Sequence, residues 1–164
     1  MLPIEKVDYK FHLRQYDDNL DDVRSILHDV CEILVKFNAQ FIVVAPESGA
    51  WPVDVLTDLP VVIEQIPDFL RFLRKPNSEI FVLDFYEQGL ERQIEVRQSN
   101  GILDIVCSHY GGSTKIEKST GEVSTWYHMM LNFWKKFCGA VDVVASLAAK
   151  HRYWNEWTSN LGNE

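Results

Sequence analysis

An α+β fold is predicted by three observations. Leu20, Val23, Ile26, Leu27, Val30, Cys31, Leu34 and Phe37 recur at three- and four-residue spacing, the stripe of an amphipathic helix. Three segments, 79–86, 91–98 and 102–109, alternate as strands do and are separated by Gln88-Gly89 and Asn100-Gly101, the latter a strong hairpin signal. The 164 residues suit one domain, 1–164, whose antiparallel meander (residues about 79–109) packs against helices and follows an N-terminal β-α-β unit.

The first strand is read from Val7, Tyr9, Phe11 and Leu13 alternating with polar residues. Asp17, Asp18 and Asn19 then serve as a cap cluster before the helical stripe. Phe41 to Ala45 is a short apolar run ending at Pro46, which fits a strand covered on both faces. Pro46 to Pro52 is a loop carrying Trp51, an aromatic that is either buried or used, and 53–57 reads as a further short strand. Proline is tolerated in a first helical turn and not inside a helix, so Pro60 and Pro67 predict two helical pieces, 59–65 and 67–75, with a kink between them.

After the meander, 110–121 reads as a loop because of Gly111, Gly112, Ser113 and Thr114. Val123, Trp126, Tyr127, Met130, Leu131, Trp134 and Phe137 then predict a helix that breaks near Gly139, followed by a last helix from Ala140 to about Trp157.

A hydrophobic share of 46% with 24% charged residues is a globular mixture, which excludes disorder and low complexity. Asp142 interrupts the longest apolar run, so no segment reaches the roughly 18 residues of a membrane span. Glu5, Lys6, Asp8 and Lys10 break up any secretory apolar region, which predicts a cytoplasmic protein. Cys31, Cys107 and Cys138 form no Cys-x-x-Cys pair, and reduced thiols are expected.

The net charge of −8 argues against nucleic acid and anionic membranes as partners. The excess is local, for residues 17–68 hold eleven carboxylates against Arg24 and Lys36. Capping and solubility account for the first four, Asp17 to Asp22, but less well for the seven that follow.

Candidate chemistry is sparse. One face of the meander carries Asp84, Glu95 and Asp104, which could ligate a hard cation or act as acid and base. Arg97 is a ready counter-ion, and a solvated sheet face with cross-strand charge pairs is the commoner arrangement. Cys107 and His109, with His128 and Cys138 downstream, allow a metal site or a Cys/His enzyme, against the plainer reading of core and rim. Gly111 to Lys115 lacks the phosphate-loop spacing, and Ser48-Gly49 lacks the serine-hydrolase elbow. No catalytic residue, metal ligand or cofactor is therefore assigned. Trp126, Tyr127 and Trp134 read as core, while Tyr153, Trp154 and Trp157 either pack the last helix down or dock a partner.

Taken together, the acidic stretch from Asp17 to Asp68 and the aromatics Trp51, Tyr153, Trp154 and Trp157 on a small α+β chain resemble the immunity proteins of bacterial polymorphic-toxin and contact-dependent growth inhibition systems. The resemblance covers overall character. It implies a non-catalytic protein that covers the active site of a cognate toxin, for an acidic member a basic nuclease. The interface residues expected on this reading are Asp54, Asp58, Glu64, Asp68 and Trp51, with Asp21 and Asp22 behind them. The alternatives are a small enzyme near Cys107 and His109, or an adaptor subunit of a larger assembly.

Overall fold

The computed structural model describes residues 14–17, 20–51, 53–75, 79–85, 91–110 and 115–159. In chain order these form α1 (Val23–Lys36), β1 (Val44–Ala45), β2 (Gly49–Ala50), α2 (Asp58–Arg74), β3 (Ile80–Phe85), β4 (Glu91–Ser99), β5 (Ile102–Tyr110), β6 (Lys115–Glu122), α3 (Val123–Val144), a 3-10 turn at Ala148–Lys150 and α4 (Arg152–Ser159). The predicted α+β domain is present. Its main sheet is the antiparallel meander β3-β4-β5-β6, and β1 and β2 make a separate small hairpin.

Strand alternation sets the inner face. Leu83, Ile94 and Cys107 stand opposite one another across β3, β4 and β5, as do Phe81, Val96 and Ile105 in the next row. Of these six, all but the half-buried Phe81 are buried. The β4–β5 turn is the Asn100-Gly101 hairpin expected from sequence: Asn100 has φ 50° and Gly101 φ 78°, the positive values that this tight turn requires.

The predicted 110–121 loop contains a fourth strand, β6. Its inward set is Glu117, Ser119 and Gly121, opposite Cys107, Ile105 and Leu103, so it carries no apolar alternation to betray it. Gly121 is small for a reason. A Cβ there would sit 2.8 Å from Cδ1 of Trp126, whose indole lies against that strand.

Of the N-terminal β-α-β unit, the helix and the second strand are among the described residues. Its first strand, Val7 to Leu13, lies outside the described residues. Its second shrinks to Val44–Ala45, which pairs with β2 across a tight turn and forms no ladder with the main sheet. Ile42 and Val44 are exposed, so this run is not covered on both faces. The cap of α1 is Asp22, whose Oδ1 accepts from the Arg24 N–H at 2.9 Å and the Ser25 N–H at 3.3 Å.

Residues 53–57 form a turn rather than a strand, and the two expected helical pieces are one helix, α2, with Pro67 inside it. Burial outweighs the lost hydrogen bond: Ile63, Ile66, Pro67, Phe69 and Leu70 are all buried. α3 likewise runs through Gly139 to Val144, and the predicted last helix is divided by the 3-10 turn.

α2 packs on β3, α3 and α1, while α4 closes against α1. Aromatic contacts join these layers. Phe69 stacks on Phe81 at 4.9 Å between centroids, and Trp157 meets Trp134 at 4.5 Å and Trp154 at 5.3 Å. The terminal tryptophans are thus core residues, both buried.

Candidate functional site

The carboxylates singled out by sequence divide by the work they do locally. Asp21 lies under Arg14, whose Nη1 donates to its Oδ2 at 2.9 Å, and it also accepts from the Asp17 N–H at 2.8 Å. The Arg14 hydrogen bond, followed by that backbone N–H, holds the Asp21 carboxyl at a pKa of about 2. Asp29 takes Arg14 Nε at 3.2 Å and the Tyr16 hydroxyl at 2.8 Å. Asp22 is the exposed cap of α1.

Asp54 and Asp58 build the entrance to α2. Asp54 accepts from the N–H groups of Leu56 at 2.7 Å and Thr57 at 2.8 Å and from the Thr57 hydroxyl at 2.7 Å, and its own N–H donates to Asp58 at 2.8 Å. Desolvation pushes the Asp54 pKa up, but the Thr57 hydroxyl and the two N–H groups outweigh it and hold the carboxyl below its ordinary value. Both of these acids thus have local work at the start of α2. Of the two alternatives for Trp51, the structure shows the buried one: it is 8% exposed and edge-on to Phe85 with centroids 5.5 Å apart.

Glu64 and Asp68 are placed differently. With Asp84 from the edge strand β3, they line a groove of about 620 Å³ whose other walls include Arg24, His28 and Gln65. Glu64 pairs with Arg24 at 2.7 Å, and Asp68 pairs with Arg71 while its side chain stays 62% exposed. Three carboxylates from α2 and β3 thus converge on one concave surface. Asp84 was legible only as part of a meander face, because its neighbourhood to α2 is a tertiary fact.

A second, smaller pocket of about 190 Å³ lies between the β1–β2 hairpin and the sheet, with Trp51, Arg92, Cys107, His109 and Glu117 in its walls. Glu117 is 4% exposed and ties the hairpin down, accepting from the Glu47 N–H at 2.6 Å and the Ser48 N–H at 3.0 Å. Burial, followed by the nearby Glu117 carboxylate, pushes the Cys107 thiol up. That environment favours the neutral thiol, the wrong form for a nucleophile. Among the described residues no cluster of three or more His, Cys, Asp or Glu side chains is arranged to hold a metal ion. Sequence reasoning named Cys107 and His109 but missed Arg92 and Glu117, whose burial no local pattern announces.

No helix among the described residues is long and apolar enough to cross a membrane. Comparison of the chain with protein families, characterised proteins and solved structures finds no match.

Proposed function

We propose that this chain is a non-catalytic binding protein of the immunity type, acting in the cytoplasm to neutralise a basic nuclease toxin by covering its active site. The observation that carries this reading is the acidic groove of Glu64, Asp68 and Asp84 between α2, α1 and the edge of β3. A nuclease cleft is built to receive phosphates and presents cations, and a concave carboxylate surface complements it. The 62% exposure of the Asp68 side chain, although it is paired with Arg71, supports a role in steering the encounter. Asp21, Asp22, Asp54 and Asp58 serve this surface indirectly, by fixing the helices that carry it.

The test is co-expression of the tagged chain with the products of neighbouring reading frames, followed by association kinetics of any retained partner across a salt series. The reading expects a basic partner in a one-to-one complex, association that slows with salt, and a further slowing of about tenfold in the double variant Glu64→Lys, Asp68→Lys with its fold intact. A partner whose association ignores both salt and charge reversal overturns it.

A further inference from the structure

The pocket beneath the hairpin holds a cation, Arg92, and a carboxylate, Glu117. Arg92 is 7% exposed and its guanidinium lies over the Trp51 ring, 5.6 Å from the centroid. Among the described residues it makes no ion pair. Glu117, the carboxylate in the same pocket, is directed to the N–H groups of Glu47 and Ser48. Directly across the ladder from Arg92 stands His109, whose Nε2 is buried with no partner among the described residues. The unpartnered ring nitrogen is costly to bury, and beside a guanidinium without an ion pair it marks a place that a ligand's acceptor atoms can fill.

From this juxtaposition we infer that the pocket binds a small organic monocarboxylate. The planar Arg92 fork takes both carboxylate oxygens, its face stays on Trp51, and a His109 tautomer protonated on Nε2 adds a third donor. The volume of about 190 Å³ is slightly above that of a cavity that holds one benzene, about 150 Å³, so the acid is compact. Ala50, Cys107 and Trp51 make the remaining walls mostly apolar, which suits a hydrocarbon body. A phosphate dianion fits less well, because Arg92 can match one negative charge and the second would be repelled by the Glu117 carboxylate. This site is separate from the acidic groove and does not depend on a protein partner.

The experiment is titration of the isotopically labelled protein with acetate, benzoate and inorganic phosphate, followed by amide, indole and guanidinium resonances. We expect saturable one-to-one shifts with benzoate centred on Trp51, Arg92 and His109, and weakening of about tenfold or more in Arg92→Met. His109→Leu should weaken binding less. Should Arg92→Met not fold, His109→Leu and the map of shifts in the unaltered protein decide. Absence of saturation with either carboxylate, shifts centred elsewhere, undiminished binding in folded Arg92→Met, or tighter binding of phosphate would each overturn the inference.

Discussion

The side-chain amide of Gln65 bonds the backbone of Asp84 with both its ends. Its Oε1 accepts from the Asp84 N–H at 3.0 Å, and its Nε2 donates to the Asp84 carbonyl at 2.9 Å. β3 is an edge strand, and an open edge is a template for another chain. Gln65 occupies that edge as a strand residue would and ties α2 to the sheet. Replacing Gln65 by Ala should cost about 1–3 kcal/mol in urea unfolding, since a partly buried donor and acceptor lose their partner together. Gln65→Glu should cost at least as much, because the carboxylate cannot donate to the carbonyl.

Glu117 is the corresponding tie for the hairpin, through the Glu47 and Ser48 N–H groups. Hydrogen bonds to a charged acceptor contribute about 1.5–3 kcal/mol. Glu117→Ala should lower stability by that order and, more tellingly, raise amide exchange at Glu47 and Ser48 ahead of the main sheet. Uniform exchange across hairpin and sheet would show that the tie is not local.

Asp21 gives the chain an acid-sensitive N-terminal corner. Its folded pKa of about 2 lies below the ordinary 3.8, so its contribution is complete above pH 4 and is lost as pH falls toward 2. Asp21→Asn should destabilise the protein at neutral pH, with the difference from the parent vanishing at the acid end of that window. Arg14 is half exposed, so added salt should shrink the difference as well.

The same substitution at two glycines should act in opposite senses. Gly139 lies within α3, where a Cβ meets nothing within 4 Å, and Gly139→Ala should raise stability by about 0.5–1 kcal/mol through helix propensity. Gly121→Ala drives a methyl into the Trp126 indole and should cost about 1–3 kcal/mol. Thermal melts of the two variants check both signs.

How much of this was legible follows from the range of each signal. The helical stripe of α1, the strands β3 to β5 and the Asn100-Gly101 turn are written in periodicity and turn chemistry, which neighbouring residues enforce, so they could be read directly. β6 escaped because its inward side chains are Glu117, Ser119 and Gly121, which pack by hydrogen bonding and by accommodating Trp126 rather than by apolar burial. Pro67 read as a helix break because its local cost is visible in sequence while the burial that offsets it is not.

The sequence by itself determined the fold class, the inner face of the meander and the concentration of acid between residues 17 and 68. Only the tertiary structure decided which of those acids are spent on starting helices and which reach the groove, and that Arg92, His109 and Trp51 line one pocket. Charge and periodicity are properties of neighbours along the chain. The convergence of side chains from α2, β3, β4, β5 and the hairpin depends on packing between distant segments, which no window of sequence contains.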